Sequence, residues 1–189
     1  MGASTLNKLY VGVFGVLLFS PRLSRGSINA QRTVAVITVW AIQATFVSMY
    51  YAAGLAKAFK GDWLTHHDTL YTQIQGVYRT DLAAWLLSTL PVWCWTAMQW
   101  VTLAFELEAP VLFAVRKLRP IAFTVGLGFH LMIALMMKDL IYFSLQMWSF
   151  YALFISAEEY RLLWRRATRY FQRLKKTNQT TSRAPPSNP

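Results

Sequence analysis

Lys57, Glu106 and His130 each lie in, or at the end of, a long run without other charge, and Glu108 follows Glu106 by two residues. An ionisable group inside a membrane span is costly, so each is a functional candidate by default. A lysine in a desolvated pocket can act as a base, because burial favours the neutral amine. A histidine at mid-membrane depth lines a pocket or is held by interior hydrogen bonds, and a carboxylate answers nearby cations. Lys57 sits in the stretch YYAAGLAKAFKGDW, where Gly54, Ala53 and Tyr50 precede it by three, four and seven residues. A helix here places two small residues on the lysine's own face, which lets a neighbouring helix come close.

The elements that position these groups follow from composition. Of 189 residues 55% are hydrophobic and 14% charged, with 19 basic against 8 acidic, a balance of +11. That is too apolar for an ordinary soluble surface. The basic residues sit at the ends of apolar runs or in the C-terminal tail, with no finger, RNP or Gly-rich phosphate signature. A lipid bilayer is therefore the expected partner and nucleic acid is not. Thr33–Ala56 and Leu82–Phe105 are uncharged and long enough to cross about 30 Å of hydrocarbon. Pro120–Met137 and Leu140–Ala157 form a second pair, parted only by Lys138-Asp139, and read as a tight helical hairpin. Leu9–Ser20 is about half a normal span. It is either a short fifth helix or a cleaved signal, and Pro21-Arg22 speaks against the signal.

Arg22, Arg25 and Arg32, then Arg116, Lys117 and Arg119, then the basic residues from Arg161 onward all fall on one face if four spans alternate. By the positive-inside rule that face is cytoplasmic and holds the C-terminus. From Glu158, aromatic and aliphatic residues recur at helical spacing among arginines and lysines, so 158–176 reads as a basic amphipathic interfacial helix. Residues 177–189 show no apolar period and read as disordered. Cys94, the single cysteine, reads as a small core residue.

Depth sorts the candidates. If Thr33 starts inside, Lys57 lies about 36 Å along its helix, near the outer boundary. Glu106 then ends a helix running inward, near the inner boundary and Arg116, Lys117 and Arg119, so a direct pair with Lys57 is not expected. His130 lies roughly 15 Å past Pro120, near the middle. Two readings of Lys57 stand side by side: an anchor that snorkels to the interface beside Lys60 and Trp63, or a base in a pocket. His66-His67-Asp68 has no third or fourth ligand at helical spacing, so no metal site is expected.

The ordered set YYAAGLAKAFKGDW, RTDLAAWLL, TLAFELEAPVLFAVRKLRPIAF and GLGFHLMIALMMKDLIYFSLQM resembles the second half of the HTTM family over about residues 35–157. This is the membrane domain shared by vitamin K-dependent gamma-carboxylase and many bacterial proteins. The resemblance implies that Lys57, in Ala-Gly-x-x-Lys, matches the base that deprotonates vitamin K hydroquinone on the lumenal side. It places His130 and Glu106 among recurrent polar positions. Counterparts of the family's first membrane helices and of the carboxylase's lumenal domain are missing from the match, so gamma-carboxylation of glutamate is not expected and catalysis stays an open question.

The expected fold is an all-α integral membrane bundle: residues 1–32 a short apolar segment and basic loop, 33–157 four transmembrane helices, then the interfacial helix and tail. The expected function is binding of a quinone-like or lipid molecule near the outer leaflet of the cell membrane, with Lys57 as candidate base and His130 in the pocket. The alternative is a non-catalytic membrane subunit that docks a partner protein.

Overall fold

The computed structural model describes residues 28–156, 158–162 and 164–169, with single positions 13, 15 and 172. Most of Leu9–Ser20, the basic loop after it and the 177–189 tail lie outside the described residues. Regular structure among those described is helical, apart from one isolated antiparallel bridge between Arg79 and Met137. The chain divides into a unit ending at Phe154 and a second from Ile155.

Helix α1, Ile28–Lys60, has no proline to break it and carries Lys57 and Lys60 in its last turn, where cations suit the helix dipole. It stops at Gly61-Asp62, and Asp62 turns the chain with a φ of 57°, a left-handed conformation that aspartate tolerates. A short α2, Thr69–Ile74, follows. Helix α3, Asp81–Thr89, is opened by Thr80, whose hydroxyl accepts from the Ala83 amide. Helix α4 is Val92–Ala114, α5 is Arg119–Met136 with Pro120 in its first turn, and α6 is Ile141–Tyr151, running into a 3₁₀ turn at Ala152–Phe154. Asp139, at a φ of 66°, makes the tight α5–α6 turn.

Four expected spans become two helices that are both long and apolar enough to cross a membrane: Thr33–Lys60 within α1, and α5. Leu82–Phe105 is not one helix. Leu90 is extended, and Pro91 follows without a backbone N–H to donate, so α3 ends and α4 starts afresh. At nine residues α3 reaches only about 14 Å. Helix α4 has the length to cross, yet Gln99, Glu106 and Glu108 interrupt its apolar run. The Leu140–Ala157 run supplies an α6 of only eleven residues, about 16 Å.

Aromatic packing sets the register of the first unit. Phe46 meets Phe113 and Tyr50 meets Phe105, with ring centroids 5.8 and 5.2 Å apart, so α1 and α4 run antiparallel. Phe123 meets Tyr151, the Trp148 indole donates to the Leu127 carbonyl and His130 meets Phe143, so α5 and α6 are antiparallel too. Phe46, Phe113, Tyr151 and Phe154 pack mostly edge to face or tilted in one buried cluster, the geometry that ring quadrupoles favour. At that end Arg119 donates to the carbonyls of Phe113 and Phe154. At the other end the segment before α3 is stitched to the α5–α6 turn: Lys138 N–H donates to Tyr78 O, and Thr80 N–H to Met136 O.

In the second unit Ser156 and Glu159 form a reciprocal capping box: the Ser156 amide donates to Glu159 Oε2 and the Glu159 amide to Ser156 Oγ. The helical residues that follow expose Arg161, Arg165, Arg166 and Arg169 beside Tyr160, Leu162 and Trp164.

Candidate functional site

The two small residues ahead of Lys57 do what their spacing implies. A Cβ added at Gly54 would stand 3.0 Å from Glu106 Cβ and from the Leu107 amide nitrogen, so the backbones of α1 and α4 are in close approach there. One turn later Lys57 donates from Nζ to Glu106 Oε1, forming an ion pair. The Lys57 side chain is 26% exposed and that of Glu106 only 4%. Nζ also stands 4.9 Å from the centre of the Trp63 ring and 5.9 Å from that of Phe129, within cation–π range. Glu106 Oε2 is buried with no partner among the described residues.

This pairing corrects the expectation that the two charges lie at opposite boundaries. A single helix over Leu82–Phe105 would put Glu106 at its tip. The restart at Val92 instead puts Glu106 well inside α4, with eight residues still to come before it ends at Ala114. Pro110, four residues on, lacks the N–H that would have bonded the Glu106 carbonyl.

His130 sits beside this pair but makes a separate connection. Its Nε2 is 2.6 Å from Tyr50 Oη, and Tyr50 Oη is 3.0 Å from Tyr151 Oη. Tyr50, His130 and Tyr151 are all buried. Gly126, one turn before His130, is needed for this: a Cβ there would collide with the Tyr151 hydroxyl and lie 2.8 Å from Phe105. His130 Nδ1 has no partner among the described residues, and neither does Ser144 Oγ on α6.

Next to the polar cluster is a cavity of about 300 Å³, lined chiefly by α4 and α5 and almost wholly apolar, with Met98, Met132 and Met136 among its walls. Phe105 and Phe129 line it as well. The same rings also touch the cluster: Phe105 packs on Tyr50, and Phe129 packs on His130 and lies within reach of Lys57. Two rings thus border both the apolar space and the polar cluster.

The HTTM domain family model matches residues 18–158, about three-quarters of the chain. The protein belongs to the HTTM family. No curated protein and no solved structure matches it. The HTTM match contains Lys57, Glu106 and His130 together with the cavity.

Among the remaining candidates, Glu108 takes no part in the pair. His66 and His67 contribute backbone carbonyls: His66 O accepts from Gln99 and His67 O from Thr96. Cys94 is free and half-buried. Sequence reasoning overlooks Gln99, Ser144 and Tyr151. Gln99 carries the one signal available, an amide seven residues before Glu106 on the same helix face. In this HTTM domain the arrangement sets an apolar cavity beside buried hydrogen-bonding groups and an ion pair, with Phe129 near both.

Proposed function

We propose that this HTTM protein is a multi-pass membrane protein that binds a quinone-like or lipid molecule, with Lys57 as the base that receives a proton from the ligand's acidic head. What supports the reading is one juxtaposition: Phe129 lines an apolar cavity of about 300 Å³ and lies within cation–π reach of Lys57 in its pair with Glu106, and the cavity is large enough for a ring or a stretch of alkyl chain. As the free amine Lys57 can accept a proton from a phenol or similar group, Glu106 faces the ammonium that forms, and the Trp63 ring beside Nζ limits water at that step.

In this reading α1, α4, α5 and α6 run alternately through the bilayer, the 3₁₀ turn after α6 lengthening that short helix to about 22 Å. The loop from Gly61 to Pro91 faces outside and the C-terminus faces the cytoplasm. The helix from Glu158 lies on the inner lipid surface, where Arg161, Arg165, Arg166 and Arg169 meet anionic headgroups.

Decylubiquinol tests the chemistry. The wild-type protein should bind it and raise its phenolate absorbance, whereas Lys57→Arg, which keeps the charge but not the base, should bind it and leave it protonated. Equal phenolate formation in both proteins removes Lys57 as the base, and absence of binding returns the protein to the partner-docking reading. Orientation is tested by Thr69→Cys in a Cys94→Ala background, which should react with an impermeant maleimide from outside intact cells. Reaction only after permeabilisation reverses the topology.

A further inference from the structure

The hydrogen-bonded chain at His130 has three donors, two phenols and one imidazole N–H, for two hydrogen bonds, so one donor is left over and the chain's direction decides which. Tyr151 Oη has Tyr50 as its one hydrogen-bond partner among the described residues. Tyr50 Oη stands between Tyr151 Oη and His130 Nε2. Each phenol has one proton to give. If Tyr151 donates to Tyr50 and Tyr50 donates to Nε2, both protons are used, Nε2 is the bare nitrogen and the imidazole proton is on Nδ1. The opposite polarity moves the spare donor to Tyr151 and leaves Nδ1 a bare acceptor, so the two polarities offer a ligand opposite groups. In the first, Nδ1–H is a neutral donor, and it has no acceptor among the described residues.

A second unused donor lies level with it. Trp148 meets Leu127 and Phe143 meets His130, stepping in opposite directions along α6 and α5, so Ser144 falls opposite His130. Ser144 is fully buried. Other hydroxyls in these helices bond back to their own backbone, as Thr38 does to Val34, Thr45 to Ala41, Thr124 to Pro120 and Ser149 to Gln146. Ser144 does not.

We propose that the chain runs from Tyr151 through Tyr50 to His130 Nε2, and that His130 Nδ1–H and Ser144 Oγ–H form a two-donor cradle for a proton-free ligand oxygen, a carbonyl or an oxyanion, distinct from the Lys57–Glu106 pair. The ligand's identity as an apolar molecule admitted past Phe129 rests on the reading above; the tautomer does not. His130 is a positioning donor in this role, with Tyr50 and Tyr151 setting its tautomer and Gly126 leaving room for the Tyr151 hydroxyl. Two neutral donors from adjacent helices hold an oxygen without bringing a charge into the bundle.

The test uses the full-length His66→Gln, His67→Gln protein in nanodiscs, with nitrogen-15 histidine, so that His130 alone reports. In the free protein the Nδ1–H tautomer is expected and should give way toward Nε2–H in Tyr50→Phe; an Nε2–H tautomer in the parent overturns the proposal. Decylubiquinone, whose ring oxygens are carbonyls, should move the Nδ1 proton downfield, while dodecylbenzene, a tail and ring without oxygen, should not. Binding is followed separately by quenching of tryptophan fluorescence. Ser144→Ala should weaken the decylubiquinone Kd about fivefold, the loss of one neutral hydrogen bond. Quenching without a shift at Nδ1, an equal shift with dodecylbenzene, or an unchanged Kd in Ser144→Ala overturns the cradle and leaves ligand binding standing. Lys57→Arg should preserve both tautomer and shift, so loss of the base and loss of the cradle are told apart.

Discussion

Gln99 and Glu106 lie seven residues apart on one face of α4, both buried and both polar, and the structure uses them differently. Gln99 has its capacity filled: Nε2 donates to the carbonyls of Trp63 and His66, at 2.8 and 2.7 Å, and Oε1 accepts from the Leu70 amide at 3.0 Å. It clamps the loop after α1 onto α4. Glu106 is half used, with Oε1 on Lys57 and Oε2 without a partner among the described residues. A buried polar group whose bonds are complete holds the fold, and one with spare capacity costs stability that a ligand can restore. The criterion separates Gln99 from Glu106, His130 and Ser144 without reference to residue type.

The largest effect should come from the complete side. Gln99→Leu keeps the volume and strips the Trp63 carbonyl and the Leu70 amide of their side-chain partner, while His66 O keeps its bond from Thr69, so it should cost about 2–4 kcal/mol. Thermal unfolding in detergent measures this, and limited proteolysis should find the 61–70 loop cut faster. A cost below about 1 kcal/mol would mean that water or the loop's own rearrangement fills the role and that completeness is the wrong criterion.

Gly126→Ala should come next. Its Cβ overlaps the Tyr151 hydroxyl and crowds Phe105, and overpacking of this kind costs about 1–3 kcal/mol. The same substitution should push Tyr151 off Tyr50 and release the His130 tautomer, a change that nitrogen-15 spectra would record. A loss of stability with the tautomer intact would show that Gly126 serves packing alone.

How far the sequence reveals this arrangement depends on what each signal measures. An uncharged run with no proline beyond its first turn identifies α1 and α5, because nothing in either competes with the helix. The same counting fails at Leu82–Phe105, where Pro91 breaks an apolar run that hydropathy reads as continuous. It fails again at α6, which ends at Tyr151 although the apolar run continues. Lys57, Glu106 and His130 are visible because charge is rare here, but their pairing is not, since depth counted along a broken helix misplaces Glu106. Gln99, Ser144 and Tyr151 are common residue types in apolar helices, and only their bonding distinguishes them.

Ser144→Ala should have the smallest effect on stability, and its sign is the sharpest probe of the comparison. In most buried positions a lost hydroxyl means a lost hydrogen bond and a cost of about 1 kcal/mol. Ser144 is fully buried and makes none among the described residues, so removing Oγ relieves an unpaired polar atom and replaces serine by the better helix former. The expected change lies between zero and a gain of about 1 kcal/mol, read as the unfolding midpoint in detergent with no ligand present. A gain would place Ser144 with Glu106 and His130, as a hydroxyl kept at the expense of stability. A loss near 1 kcal/mol would mean that Oγ has a protein partner in solution. Ser144 would then belong with Gln99 as part of the clamp, and the ligand oxygen would have His130 alone.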